Sequence, residues 1–512
     1  METIAPVSDD VGRIEPLAER VFLVYPPGAQ YQRGEDRSQG NVTDSAATVM
    51  RAPNDMGYAA ALLKRRGYVV SFRDYQTERL GTDDLLRDFR EFRPAATFIS
   101  ITNSTILSDL AIVNRLKSLN PDLLVILKGA LFFDAPDEVL SFLDLSQVDY
   151  LIGGEVEFAI GELVHAHYTD RDAIAKIPGI LYRGASGTWC KTVFSAWDPN
   201  LDELPFPDRT VINNALYVRP DTGRPQATIA TSRGCPAACV YCLTPTISGK
   251  NVRFRDPENI LAELRECYHQ HGIRDFFFKS DTFTINRDWV KAVCVAINRS
   301  ELAGKIEWAA NSRVRPLADD TLQMMRDAGC WLVAFGFESG SPETLKGIRK
   351  GATVEDNLRA GRLAKAADLK LYGFFLIGLP WEDRAHLADT ARHVYDIDAD
   401  FIELHIAVPY YGTELYRIAK EAGVLDDTVI GKDYFHAATT GTHHLSAEEL
   451  VEFRRKLLLE YHLRPSYLIR KMRDAIGRPT VLYNYARFGS RLILNNLRRA
   501  GIDVGQGARI AP

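Results

Sequence analysis

The sequence predicts an α/β protein: an N-terminal doubly wound parallel sheet, then a partial (β/α)6 barrel, then a helical C-terminal region. Three observations carry that prediction. Short apolar runs without polar alternation, as expected of strands buried on both faces, alternate with stretches of helical period. This happens in two successive series, separated by residues 170–225, where periodicity fades and Pro and Asp gather in DPNLDELPFPDRT. A length of 512 residues suits roughly three domains. The expected divisions are a polar tail over 1–20, a first domain over 21–169, a linker over 170–225, a barrel over 226–425 and a basic helical region over 426–512.

In the first series, residues 21–25 (VFLVY) end in Pro26, Pro27 and Gly28, a buried strand running into a loop. Helical period follows over 56–66 and stops at Gly67. Strands are then expected at 68–72, 97–101, 123–127 and 148–152, with helices at 108–119, at 137–143 and after Gly154. Five strands alternating with helices place a ligand at the strand carboxyl ends. In the second series, strands are expected at 227–231, 275–279, 305–310, 331–337, 371–377 and 401–408. Each precedes a helical stretch such as 257–270 or 354–367, and barrel chemistry belongs at the strand C-termini.

Composition removes several classes. At 46% hydrophobic, 25% charged and net charge −5, the chain is neither collagenous nor disordered. No apolar run reaches the roughly 18 residues of a spanning helix, and the N-terminus shows no basic and apolar leader, so a cytoplasmic protein is expected. Seven cysteines, an odd number, argue against a disulfide framework.

Three of the seven lie in TSRGCPAACVYC, after the first barrel strand: Cys235, Cys239 and Cys242, spaced CxxxCxxC. Three thiolates on one loop can bind three irons of a cubane cluster and leave the fourth open for chemistry. Structural zinc takes four ligands at short spacing, and no further Cys or His lies close by. Cys190, Cys267, Cys294 and Cys330 are scattered singly, as packing residues are, so one cluster and no auxiliary one is expected.

That loop resembles the signature of radical S-adenosylmethionine (SAM) enzymes. FFFKSDTF, AANSRVRPL, GFESG, FFLIGLPWED and PYYGTELY agree with the family in order along the chain. The resemblance implies a [4Fe-4S] cluster on Cys235, Cys239 and Cys242, chelation of SAM at the open iron, and reductive cleavage of SAM to methionine and a 5′-deoxyadenosyl radical. It places Tyr241 near the adenine, Arg313 near the SAM carboxylate, Glu338 and Ser339 by the ribose or methionyl part, and Ile377, Gly378 and Leu379 along the adenine. The residues themselves leave a plainer alternative: an Arg313–Glu338 ion pair closing the barrel, with glycines serving strand-to-loop turns.

Two families join such a sheet to such a barrel. Methylthiotransferases carry a second cluster on three N-terminal cysteines, and residues 1–189 contain none. VFLVYPPG, MGYAAALLKRRGYVVSFRDY, VDYLIGGEVEFAIGEL and LDELPFPDR instead resemble cobalamin-binding radical SAM enzymes, the family of anaerobic magnesium-protoporphyrin ester cyclase, hopanoid-modifying enzymes and natural-product C-methyltransferases. The resemblance spans roughly residues 20–470 and implies a Rossmann-like cobalamin-binding first domain. The strand-end residues Thr102, Asn103, Ser104, Thr105, Gly129, Gly153, Gly154 and Glu155 are the candidates to meet the corrin, although glycines there also serve ordinary turns. Two features depart from the pattern. DxHxxG is absent, so cobalt has no histidine ligand, and LKGALFF puts Lys128 and Leu131 where relatives usually carry a Gly-Gly pair and often a histidine.

The expected activity is methylation of an unactivated carbon by a 5′-deoxyadenosyl radical and methylcobalamin. The alternative is a cyclase or other rearranging enzyme on the same scaffold that transfers no methyl. A third reading, a cobalamin or SAM sensor whose basic tail binds nucleic acid, finds no nucleic-acid module in the chain. Expected partners are a small-molecule substrate, such as a natural-product or lipid intermediate, and an electron donor such as flavodoxin or ferredoxin. Candidate substrate-facing residues are Phe283, Trp308, His405, Tyr410 and Tyr411, the two tyrosines as hydrogen-atom or proton donors; His405, on an apolar strand, equally suits a core position. Residues 464–512 carry ten Lys/Arg against two Asp/Glu. Such a tail suits peripheral contact with anionic lipid or substrate, or a solvated cap over the barrel.

Overall fold

The computed structural model describes residues 17–33, 50–133, 137–155, 159–193, 197, 200–425, 430–433, 438 and 440–499. Its first unit is a seven-stranded sheet: β1 (Leu17–Tyr25), β2 (Val69–Asp74), β3 (Pro94–Ser100), β4 (Leu124–Lys128), β5 (Tyr150–Ile152), β6 (Ile180–Arg183) and β7 (Trp189–Lys191). The order is β2-β1-β3-β4-β5-β6-β7, parallel through β5 and antiparallel beyond. β3 and β4 are buried along their whole length, as continuous apolar runs require. One face packs under helices Thr82–Phe92 and Ile106–Leu119, the other under Asn54–Arg65 and Ile160–Thr169. The order in which strands are added reverses between β1 and β3, the switch point where doubly wound sheets bind ligands.

Three expectations change. β1 begins at Leu17, inside the stretch expected as a tail; residues 1–16 lie outside the described ones. The stretch expected as linker supplies β6 and β7, which cap the β5 edge of the sheet. The helix Thr82–Phe92 is an addition to the expected elements; its Leu85 and Phe89 sit four residues apart and are both fully buried.

The second unit opens with β8 (Gln226–Ala230) and a two-residue hairpin ladder of β9 (Ser232–Arg233) and β10 (Arg253–Phe254) around the cysteine loop. Then come β11 (Asp275–Lys279), β12 (Glu307–Arg313), β13 (Cys330–Glu338), β14 (Lys370–Ile377) and β15 (Phe401–Ile406). Six parallel strands stand in chain order β8-β11-β12-β13-β14-β15, and β8 and β15 do not pair, so the barrel is partial. Helices Ala447–Leu463, Pro465–Asp474 and Pro479–Arg499 close the chain. Leu450, Leu457, Tyr461 and Tyr467 join the barrel's own core, so this region is part of the barrel unit rather than a separate body.

Candidate active site

The cysteine loop leaves β9 through Gly234. Its φ is +94°, and a side chain there would bring Cβ to 2.1 Å from the Asn251 carbonyl oxygen, so only glycine fits. Asp281, from the loop after β11, holds both ends: Gly234 N donates to Oδ2 at 2.7 Å and Thr244 Oγ1 to Oδ1 at 3.1 Å. Cys235 N donates to Gly249 O at 3.1 Å. Cys235 and Cys239 are buried and Cys242 is half-buried. Asp281 is not among the residues that the sequence points to, although an acidic residue just past a barrel strand is the available signal.

The donor set fits an iron–sulfur cluster. No three His, Cys, Asp or Glu among the described residues converge to hold a single ion, as zinc requires, whereas a cubane takes one thiolate at each of three corners. The sulfurs are also met by donors: Arg313 Nη1 lies 3.2 Å from Cys239 Sγ, and Thr244 N donates to Cys242 Sγ at 3.4 Å. Burial pushes the Cys235 and Cys242 thiols up, against the pull of nearby donors and of Arg313, so metal must displace their protons. The other buried cysteines differ. Burial pushes Cys267 up to about 11 and Cys294 up to about 12, and raises Cys330 further, which suits packing thiols.

Glu338 ends β13 with φ +64°, a left-handed turn that sends its carboxylate toward the loop. Lys350 Nζ lies 2.7 Å from Glu338 Oε1 with both side chains buried, and the Tyr241 hydroxyl also bonds this carboxylate. The Arg313–Glu338 pair is therefore not made: Lys350 is the partner of Glu338, and Arg313 reaches Cys239 and the Lys350 carbonyl. Lys350, in LKGIRKG, gives no spacing signal. Tyr241 and Leu379 share one apolar cluster with Leu376, Leu345 and Ile348, which brings the two adenine-side candidates together. Ile377 points the other way, fully buried in the core beneath the helices, because strand residues alternate, while Leu376 packs on the Tyr241 side. Gly378 and Leu379 donate their N–H groups to Glu382 Oε2 at 2.7 and 3.1 Å. Ser339 faces inward, its hydroxyl 2.8 Å from Thr390 Oγ1.

At the switch point of the first sheet, Thr102 and Thr105 bond each other through their hydroxyls at 3.0 Å, and Thr105 Oγ1 donates to Asp109 at 2.6 Å. Arg33 pairs with Asp109 at 2.8 Å, and Gly431 N donates to Asn103 O at 2.8 Å. The Ser100 and Ser104 hydroxyls are buried with no hydrogen-bond partner among the described residues, which suits a polar ligand at this edge. At the three glycines the chain itself comes close. A Cβ on Gly129 would lie 2.4 Å from Ile101 Cδ1, one on Gly153 1.9 Å from Phe133 N, and one on Gly154 3.2 Å from the Phe133 ring. Glu155 leaves the sheet and meets Arg253 at 3.0 Å and Arg233 at 3.4 Å on the barrel hairpin. Lys128 pairs with Asp55 at 3.1 Å, and Leu131 is core.

Tyr410 and Tyr411, in the exit loop of β15, pack with Leu243 into the core of the first unit and so stand where sheet and barrel meet. Trp308 and Phe283 are fully buried in the core outside the barrel. The lumen is different. Inward residues Phe277, Lys279, Asn311, Tyr372, Phe374, Glu403 and His405 keep partial exposure while their strand neighbours are buried, so side chains do not fill it. His405 Nε2 lies 3.1 Å from Glu403 Oε2, and the Tyr372 hydroxyl also bonds Glu403.

The model of the Radical SAM superfamily matches residues 229–394. A protein of Pyrococcus horikoshii named as uncharacterized methyltransferase PH0819 is 29% identical over 425 residues, 83% of this chain and 91% of its own. The anaerobic magnesium-protoporphyrin IX monomethyl ester cyclase of Cereibacter sphaeroides is 26% identical over 71% of this chain and 60% of its own. Among solved structures, the radical SAM methyltransferase TsrM of Kitasatospora setae, with cobalamin and a [4Fe-4S] cluster bound, superposes with TM-score 0.61 at 18% identity, covering 86% of this chain and 82% of its own. The cobalamin-dependent radical enzyme OxsB, with aqua-cobalamin and SAM bound, superposes with TM-score 0.66 at 15% identity over 94% and 75%. These likenesses show a shared fold of sheet and partial barrel.

Proposed function

We propose that this chain, whose residues 229–394 match the Radical SAM superfamily model, is a cobalamin-dependent radical SAM methyltransferase acting on an unactivated carbon of a small molecule. The observation that carries the reading is the meeting of two strand-end sites: the cysteine loop at the carboxyl end of β8, and the switch-point edge of the first sheet, joined through Tyr410 and Tyr411. When bound, a [4Fe-4S] cluster supplies the electron for cleavage of SAM and cobalamin supplies the methyl group.

The chain's own residues do the rest. Cys235, Cys239 and Cys242 hold the cluster. Arg313 keeps a positive charge against Cys239. Tyr241, Leu376 and Leu379 form a dry wall along SAM, with Glu382 fixing the backbone behind them. Thr102, Asn103, Ser104 and Thr105 would meet cobalamin, and without a DxHxxG motif the chain would offer cobalt no histidine from that motif. The partly polar lumen, with Glu403, His405, Tyr372 and Lys279, suits a substrate with hydrogen-bonding groups rather than a bare hydrocarbon. A soluble one-electron donor of the flavodoxin or ferredoxin class, and a cytoplasmic setting, complete the reading.

The test is anaerobic reconstitution with iron, sulfide and cobalamin, then product analysis with SAM. S-adenosylhomocysteine and 5′-deoxyadenosine forming together support methyl transfer. Deoxyadenosine with neither homocysteine product nor methylated substrate overturns it and points to the rearranging chemistry of the cyclase relatives.

A further inference from the structure

The last two helices are mounted with their polar side inward. Tyr467 and Lys471 of Pro465–Asp474 face the barrel floor: the Tyr467 hydroxyl donates to Asp400 O at 3.0 Å, and Lys471 Nζ sits 3.8 Å from the Phe401 ring centroid. Asn484 of Pro479–Arg499 donates to Asp221 O at 2.8 Å. Val481 and Ala475 are buried with them, but a set of apolar residues points outward. Leu468, Ile469, Met472, Ile476, Leu482 and Tyr483 are all exposed, Ile476 at 76% and Met472 at 58%. Leu468, Met472 and Ile476 stand at intervals of four, forming one stripe. Scattered exposed Leu or Ile needs no explanation, but six such residues gathered on one hairpin mark a contact surface.

Charge identifies the contact. Residues 475–499 contain five arginines and no Asp or Glu, in a chain of net charge −5. Arg473 and Arg478 stand exposed among the apolar residues and make no ion pair among the described residues. A surface helix pair with arginines interleaved among Leu, Ile, Met and Tyr combines the two attractions of an interfacial element, apolar insertion and attraction to anionic headgroups. No helix is long and apolar enough to cross a membrane. We propose that this hairpin docks the protein on an anionic lipid surface. The hairpin lies at the amino ends of the barrel strands, opposite the cysteine loop, so docking leaves the catalytic mouth open to water.

Flotation of the purified full-length chain with vesicles tests this without cofactors or substrate, and so independently of the catalytic reading. With phosphatidylcholine vesicles containing roughly one-third phosphatidylglycerol, the bound fraction at low salt should exceed that with pure phosphatidylcholine about tenfold, and should fall as salt screens the arginines. Met472→Glu with Ile476→Glu should abolish binding while leaving circular dichroism and thermal unfolding unchanged, since neither side chain contributes to the core. Arg473→Gln with Arg478→Gln should remove the preference for anionic vesicles. Absence of binding at low salt overturns the proposal. So does a dimer, seen by sedimentation without lipid, that the Met472→Glu, Ile476→Glu variant dissociates, because the stripe is then covered by a second copy.

Discussion

Glu338 shows how a single residue's role depends on neighbours remote in sequence. Its left-handed backbone belongs to the turn after β13, and its partner Lys350, twelve positions on, follows the short helix Pro342–Gly347. Removing one member of a buried ion pair costs about 3–5 kcal/mol because the other charge stays behind. Lys350→Met should therefore lower stability by about that amount in denaturant unfolding, and Glu338→Gln in the same background should recover most of it. His405 gives a pH-dependent counterpart. Burial lowers its pKa, but the hydrogen bond and charge of Glu403 outweigh that and hold it above its ordinary value, with Glu338 assisting and Arg454 and burial opposing. A group raised on folding stabilises fully below its unfolded pKa of about 6.5 and loses that contribution as pH rises through the folded value. The His405 resonance in a histidine-labelled NMR titration should thus titrate above about 6.5 in the wild type and shift down in Glu403→Gln. At this scale the thiols are legible in the sequence, because spacing alone defines them. Lys350 and the Glu403–His405 pair are not, because their meaning lies in which way a strand faces.

Elements are more legible than their ends. The six barrel strands appear as apolar runs, but the expected boundary of 305–310 becomes Glu307–Arg313, and that extension carries Arg313 to the cysteine loop. The segment expected as linker hides β6 and β7, four and three residues long, which are too short for a period to emerge and are stabilised by pairing to β5. The strand-end glycines carry a second constraint. They are expected to admit a corrin, and Gly153 also admits Phe133 of its own chain at a distance no Cβ tolerates. Close approach matters in the same way within the cysteine loop. Gly234 combines a φ of +94° with an approach to Asn251 that leaves no room for a methyl group. Gly234→Ala should therefore fold, by circular dichroism, yet reconstitute with a small fraction of the wild-type iron. Cys267→Ala, removing a packing thiol, should keep its iron at a cost of stability alone.

The whole molecule works only if the first sheet and the cysteine loop keep a fixed relation, and several contacts hold it. Asn54 Nδ2 donates to Thr228 O on β8 at 3.0 Å, Phe133 stacks on Trp197 with centroids 6.2 Å apart, and Tyr410 and Tyr411 enter the core of the first unit. The charged contact is Glu155. Arg233 and Arg253 stand opposite each other on the β9–β10 ladder, and the buried Glu155 carboxylate from the first unit contacts both. Cys235 follows two residues after Arg233, so the ion pair acts directly on the loop. Glu155→Gln removes this carboxylate from beside two buried guanidinium groups, and the loss of a buried charged contact should open the loop roughly a hundredfold more often. Hydrogen exchange in the metal-free protein reads this at the Gly234 and Cys235 amides, which donate to Asp281 and Gly249. Those two should exchange faster by that factor while β11 amides, paired with β8 and β12 in the body of the sheet, stay unchanged. Arg253→Met added to Glu155→Gln should restore part of the protection, since it removes one of the two like charges that face each other. A uniform acceleration across the barrel would mean that Glu155 contributes general stability and does not position the loop.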